Sequence, residues 1–325
     1  MSHITLQQRY SISLMLALGY KQKDIAQTIG KDKSVVSREI IRNCDNRSGE
    51  YRFDLAQRKY EKRMEDKPKN VAFTEKIEEY VNGLLAEKYS PEQIVGVARR
   101  DGKICVSHER IYQHVWANKK QGGALYLHLR TEGKYYRKRG NKKDRRGIIP
   151  ARVDISERPP IVEKRERIGD LEIDTIIGKN HQGAIVTIND RASGKVKMVK
   201  VKSKDASLVA SKAMKVLEEW KPYLKTITSD NGKEFSMHQM ISEKLNVDFY
   251  FAKPYHSWER GSNENLNGLI RQYIPKKTDF TTLTNKYIKY VENKLNNRPR
   301  KRFNFESPNK VFNKFINQQK VAFVT

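Results

Sequence analysis

The sequence predicts a multidomain chain of α plus α/β type, with helical units first and a layered sheet domain after them. Three observations carry that expectation. Up to Tyr112 the apolar residues recur at helical spacing, whereas after Ile161 they alternate as strands do. The later elements then follow as three strands, helix, strand, helix, strand, helix, which is an α/β order. A chain of 325 residues has room for about two or three domains.

The elements divide as helix-turn-helix unit 1–65, a second helical unit 66–129, basic linker 130–160, sheet domain 161–300 and tail 301–325. In the first unit Leu6, Tyr10, Leu14 and Ala17 or Leu18 repeat at helical spacing, and Gly19 stops that helix. Ile25, Ala26 and Ile29 form a second helix. Gly30 and Lys31-Asp32-Lys33 make the turn, and Ser34 is expected to cap a third helix carrying Val35, Val36, Ile40 and Ile41. Ala26 permits close approach, and Val36 and Ile40 lock the helices together. Lys33, Ser34, Ser37, Arg38 and Arg42 are then left facing outward, a face suited to phosphates and base edges in the DNA major groove. An ordinary helical hairpin with a solvated basic face is the competing reading.

Residues 75–116 repeat the plan. Ile77, Tyr80, Val81, Leu84 and Leu85 make one stripe, and Ser90-Pro91-Glu92-Gln93 is helix-start chemistry. After Asp101-Gly102, a further helix begins at Val106-Ser107-His108, with Ser107, His108 and Arg110 as candidate DNA contacts. A packing or dimerisation module is the alternative. From Arg130 to Arg146 nine cations face only Glu132 and Asp144, with Tyr135 and Tyr136 inside the run. Arg137, Arg139 and Lys142 can lie along phosphates there, or the run is a solvated linker.

In the third region the expected strands are Leu171–Ile177, Ala184–Ile188, Lys195–Val201, Thr226–Ser229 and Val247–Phe251. The expected helices are 205–220, Met237–Leu245 and Gly261–Tyr273, and the tail from Thr281 is helical with a break at Asn297-Arg298-Pro299. This order matches an RNase H-like sheet, in which the first and fourth strands are neighbours and a later helix crosses their ends. Three carboxylates are thereby drawn together: Asp174 in the first strand, Asp230 at the end of the fourth, and Glu264 in the later helix, with 33 residues between the last two. Clustered carboxylates raise one another's pKa unless cations neutralise them. Two divalent ions about 3.5–4 Å apart do so and clamp the attacking and leaving oxygens of a phosphoryl transfer. Mg²⁺ suits such all-oxygen sites, with Mn²⁺ able to substitute.

Bland readings stand beside these. Asp-Asn-Gly is ordinary turn chemistry, and a helical Glu is usually solvated. Asp170, Glu172 and Asp174 share one strand face, and Asp174 is favoured as the deepest in its apolar run. Asn267 and Arg271 fall on the face of Glu264, where a cation can hold a phosphate. His256, Trp258 and Arg260 offer stacking and phosphate contacts together with Tyr255, and Lys276 follows the helix. Lys233 and Glu234 are either supports of the site or plain surface.

Composition narrows the function classes. Lys plus Arg is 65 against 38 for Asp plus Glu, a formal charge of +27, which implies a polyanionic partner. A basic membrane-surface protein is the weaker competitor. The apolar share of 37% still allows packed cores. No apolar run reaches about 18 residues, and the start lacks signal-peptide order. Cys44 and Cys105 stand in unrelated contexts, so neither a disulfide scaffold nor a cysteine zinc site is expected, and a reducing, cytoplasmic setting fits.

Three blocks resemble the motifs of bacterial DDE transposases of the insertion-sequence-thirty family. They are Ile168-Gly169-Asp170-Leu171-Glu172-Ile173-Asp174 through Gly178, Ser229-Asp230-Asn231-Gly232-Lys233-Glu234-Phe235, and Glu259-Arg260-Gly261-Ser262-Asn263-Glu264-Asn265 through Lys276. The Ile25-to-Ile40 unit and the Ser90 and Ser107 segments resemble that family's two DNA-binding units. Leu171 stands where Trp is common in the family, and Leu266 where a polar residue is common. The resemblance implies a retroviral-integrase-like catalytic domain, with Asp174, Asp230 and Glu264 holding two Mg²⁺ ions. It implies binding of double-stranded DNA, both terminal inverted repeats and target, cleavage that frees a 3′-hydroxyl, and direct strand transfer by that hydroxyl. It also implies a homodimer or higher multimer, because two ends must be paired. A helix-turn-helix regulator with a catalytically silent sheet domain is the alternative, and a nuclease without transfer is a third reading.

Overall fold

A computed structural model describes residues 3–66, 72–132, 149–253 and 261–322. The chain divides into two compact units, Met1–Asn70 and Val71–Thr325.

The first unit holds α1 (Leu6–Ala17), α2 (Gln22–Thr28), α3 (Lys33–Asn43) and α4 (Phe53–Glu65). Its apolar centre is Ile12, Ile25, Ala26, Ile29, Val36, Tyr51 and Ala56. Gly30 turns the chain between α2 and α3 at φ +63°, a left-handed value that favours glycine. The helix α3 is capped by Asp32, whose carboxylate accepts the Ser34 amide at 2.8 Å; Ser34 is therefore not the cap. The expected stripe of α1 is corrected as well. Leu6, Tyr10, Leu14 and Leu18 are exposed, and the buried residues of α1 are Arg9 and Ile12. Arg9 is accommodated because it donates to Glu39 at 2.8 Å and to Gln57 at 2.7 Å, and lies 4.4 Å over the Tyr60 ring.

The second unit begins with α5 (Glu75–Ala86), α6 (Pro91–Arg100) and α7 (His108–Lys120), packed around Val81, Leu85, Ile94, Ile111 and Val115. Ser90 and Gln93 form a reciprocal capping box at the start of α6. Hydrogen bonds tie α6 to residues 298–299: Gln93 donates to the Pro299 carbonyl at 2.7 Å, and Arg298 donates to Gln93 at 3.0 Å.

The sheet strands are β1 (Asp170–Ile177), β2 (Ala184–Asp190), β3 (Val196–Val201), β4 (Thr226–Ser229) and β5 (Asp248–Phe251), in the order β3-β2-β1-β4-β5. β1, β2 and β3 pair antiparallel, while β4 runs parallel to β1 and β5 parallel to β4. The remaining helices are α8 (Ile161–Lys164), α9 (Ala206–Leu217), α10 (His238–Leu245), α11 (Gly261–Ile270), α12 (Asn285–Asn297) and α13 (Pro308–Ala322). Strand alternation sends Leu171 and Ile173 to one core with Val209, Ala213, Ile241 and Leu245. It sends Ile176 to the other core, with Leu266, Leu269, Ile270, Ile288 and Val291. The sheet thus lies between α9–α10 and α11–α12.

Both sheet edges are closed. Asn296 and Glu292 of α12 hydrogen-bond the β3 backbone at Val196 and Met198. At the other edge the Phe251 amide donates to the Val153 carbonyl at 2.9 Å, so Val153 and Asp154 of the expected linker lie beside β5. The tail joins the domain rather than folding alone: Phe312 of α13 is buried against Trp220, ring centroids 5.2 Å apart.

Candidate active site and nucleic-acid interface

The site grows out of the pairing of β1 with β4. That parallel pairing runs through Asp170↔Thr226, Leu171↔Ile227 and Glu172↔Thr228. Two residues further along stand Asp174, inside β1 just past its last pair with β4, and Asp230, one residue beyond the end of β4, so the two aspartates lie on adjacent strands at the rim where β4 stops. Both are half-buried.

The three acids of β1 are told apart by their partners. Asp170 is buried, accepts from Arg167 at 2.8 Å and 3.0 Å, and receives the Thr226 hydroxyl at 2.9 Å. Glu172 is fully buried in an ion pair with Arg191, which also holds Glu163 at 2.8 Å. These two carboxylates are structural. Asp174 is the least buried of the three rather than the deepest, and it lies where β1 extends past the end of β4.

The helix α11 is fastened to this rim by Asn267, which donates to Asp174 Oδ2 at 2.8 Å; the Thr175 amide holds Oδ1 at 2.9 Å. Asn267 Oδ1 and Ser262 Oγ, both on α11, are buried with no hydrogen-bond partner among the described residues. Glu264 lies one turn before Asn267 and is exposed. Arg271, expected at the DNA, is engaged within the protein. It donates to the carbonyls of Ile177 and Pro275, both at 3.2 Å, and is half-buried. Gly268 faces Arg130, whose guanidinium donates to Asn265 Oδ1 at 2.8 Å.

The Asp-Asn-Gly turn is built for close approach. The Asp230 carboxylate accepts the Gly232 amide at 2.9 Å, and Asn231 donates to the Ala252 carbonyl at 2.6 Å. A Cβ on Gly232 would fall 2.7 Å from the Glu234 carboxylate and 2.9 Å from Asp230 Oδ1. Glu234 is half-buried, receives the Thr175 hydroxyl at 2.5 Å and pairs with Lys204 at 2.6 Å. Burial works to raise its pKa, but the hydrogen bonds from Lys204 and Thr175 outweigh it and hold the carboxyl below its usual range. The sequence left Glu234 undecided and missed Thr175 and Lys204 altogether. No sequence signal marks a lysine thirty positions away as its partner.

The donor set is all oxygen, which fits a hard divalent cation in kind. Among the described residues, no three His, Cys, Asp or Glu side chains lie close enough together to hold a metal. The two aspartates share one rim, and Glu264 of α11 is exposed to solvent.

Lys33, Ser34, Arg38 and Arg42 are exposed on α3, with Ser37 half-buried on the same helix. Arg38 bonds back to the Ser34 carbonyl at 3.0 Å and the Ser34 hydroxyl at 3.2 Å, which orients the guanidinium in advance. In the second helical unit the Ser107 hydroxyl is taken by the α7 cap, accepting the Arg110 amide at 3.2 Å. His108 and Arg110 are exposed, and so is Lys276. Arg137, Arg139, Lys142, His256, Trp258 and Arg260 lie outside the described residues. Among the described residues no helix is long and apolar enough to cross a membrane.

Comparison with known proteins finds relatives that align with nearly the whole chain. Residues 1–43 match the family model of a helix-turn-helix domain. Over 323 residues the chain is 56% identical to the transposase for insertion sequence element IS4351 of Bacteroides fragilis, covering 99% of each chain. It is 32% identical over 316 residues to the transposase for IS1086 of Cupriavidus metallidurans, covering 94% of this chain and 92% of that one. It is 31% identical over 330 residues to the transposase InsI for IS30A of Escherichia coli, covering 97% and 84%.

Proposed function

The chain belongs to the IS30 family of insertion-sequence transposases, and from that premise we propose that it cuts and joins DNA through an Asp174-Asp230-Glu264 triad on an RNase H-like sheet. The observation that carries this reading is the placement of Asp174 inside β1 and of Asp230 just past the end of its parallel neighbour β4, with α11 docked on Asp174 through Asn267. The strand order and the helices on both faces support the RNase H-like assignment.

In this reading the first unit binds the terminal inverted repeats of the element, with Lys33, Ser34, Arg38 and Arg42 of α3 facing the DNA. His108 and Arg110 of α7 serve a second contact, and Lys276 a phosphate near the site. Asp174, Asp230 and Glu264 would hold two Mg²⁺ ions. Bound there, the ions would neutralise charge on the attacking and leaving oxygens. The protein's own part is positioning. Asn267 holds Asp174, the Gly232 amide holds Asp230, and α11, docked through Asn267, carries Glu264 one turn from that contact. Water attacks the phosphodiester at the element end, breaking the bond to the 3′ oxygen and freeing a 3′-hydroxyl. That hydroxyl attacks a second phosphodiester, and the displaced 3′-hydroxyl of the target is the leaving group. Two ends have to be held together, which calls for a homodimer or higher multimer on double-stranded DNA.

The test is product analysis on labelled element-end DNA. Joined products support the transposase. Nicks without joining indicate a nuclease, and tight binding without cleavage indicates a regulator with a silent sheet domain.

A further inference from the structure

We propose that Glu234 is a positioning residue that sets the spacing of Asp174 and Asp230 by linking the strand of the first to the turn of the second. The inference rests on the reading of those aspartates as divalent-cation ligands. It begins from which side of β1 each contact reaches. Asp174 is held by Asn267 of α11 at 2.8 Å. Thr175, the next residue, points to the opposite face by strand alternation, and there its hydroxyl donates to Glu234 Oε1 at 2.5 Å. The Asp174–Thr175 stretch of β1 is therefore gripped from both sides, by Asn267 and by Glu234.

Glu234 belongs to the turn that follows β4 and carries Asp230. The two carboxylates flank Gly232 so tightly that a Cβ there would meet both, at 2.7 Å and 2.9 Å. The same Glu234 oxygen that accepts from Thr175 accepts from Lys204 Nζ at 2.6 Å, in the segment leading into α9. One carboxylate thus joins three segments: β1 at Thr175, the turn after β4 and the approach to α9. The ammonium of Lys204 also offsets the charge of Glu234 beside the aspartates, so a fourth acid sits at the rim as a brace. Holding ligands in place before the cation arrives lowers the ordering cost of binding it.

The experiment is Mn²⁺ binding to the full chain without DNA, followed by electron paramagnetic resonance of free Mn²⁺, for wild type, Thr175→Val, Glu234→Ala, the double variant and Asp230→Asn. Thermal melting of each is recorded alongside. Thr175→Val changes no charge, so a merely electrostatic role of Glu234 predicts no effect from it. The positioning role predicts affinity lower by about fivefold, the worth of one hydrogen bond, and by about tenfold or more for Glu234→Ala. The double variant binds no more weakly than Glu234→Ala, because both changes break one link. Thr175→Ser, which keeps the hydroxyl, restores wild-type affinity, and it serves with Glu234→Gln if the valine variant does not fold. Wild-type affinity in Thr175→Val, or losses that multiply in the double variant, overturns the brace while leaving the site intact. If Asp230→Asn binds Mn²⁺ as tightly as wild type, or wild type binds none, the reading of the site falls and the brace falls with it.

Discussion

Asn267 of α11 donates a hydrogen bond to Asp174 of β1 at 2.8 Å, and this contact couples the helix bearing Glu264 to the strand bearing the first aspartate. Replacing Asn267 by Ala removes that coupling without touching a proposed ligand. Strand transfer is expected to fall by about 10–100-fold, the usual cost of losing a group that orients a ligand, with element-end binding unchanged in a gel-shift titration. Transfer at the wild-type rate would reduce the contact to packing.

Glu264 is exposed on α11, in the unit that does not contain the helix-turn-helix. Glu264→Gln keeps the side-chain shape and removes the charge. It is expected to abolish strand transfer while end binding survives. Loss of binding in the same variant would contradict the division of labour between the two units.

Arg38 sits exposed on α3, oriented by Ser34. If it reads a base edge, Arg38→Ala weakens specific binding by about 1–3 kcal/mol. An unchanged affinity for the inverted repeat would remove Arg38 from the interface.

The charge of +27 makes a separate demand. Binding to element-end DNA should weaken steeply with salt, because each phosphate neutralised releases counterions. The slope of log affinity against log salt measures this, and a flat response would rule out phosphate contacts as the main source of affinity.

In the first unit, Arg9 is buried and paired with Glu39. Arg9→Ala strands the Glu39 carboxylate beside Tyr51, and removing one partner of a buried pair costs about 3–5 kcal/mol. Calorimetry should show the unfolding transition of the helix-turn-helix unit moving sharply downward. A transition left in place would mean that water repairs the lost pair.

Much of the sheet domain was legible in the sequence because strand alternation and turn residues punctuate it clearly. Thr226–Ser229 falls where it was expected, and β1 differs by one residue at its start. The same patterning failed in α1. That helix carries one charged residue in twelve, so no polar face stood out to oppose the apolar one. The stripe through Leu6, Tyr10 and Leu14 was as regular as the face that is buried, and Arg9 was hidden by partners thirty and forty-eight residues away. The site shows the same divide. Alternation made Asp170, Glu172 and Asp174 equivalent, and only the contacts of Asp170 with Arg167 and Thr226 and of Glu172 with Arg191 set the first two aside. Local order in the chain finds strands and caps, whereas the partner of a buried charge is a property of the fold.

The most direct test of the central claim compares wild type with Asp230→Asn on labelled element-end DNA, with Mg²⁺ or with EDTA. The account predicts joined products with wild type and Mg²⁺, and none with EDTA or with the variant, although both proteins bind the ends. Joined products from Asp230→Asn at the wild-type rate would contradict it and return Asp230 to the chemistry of an ordinary turn.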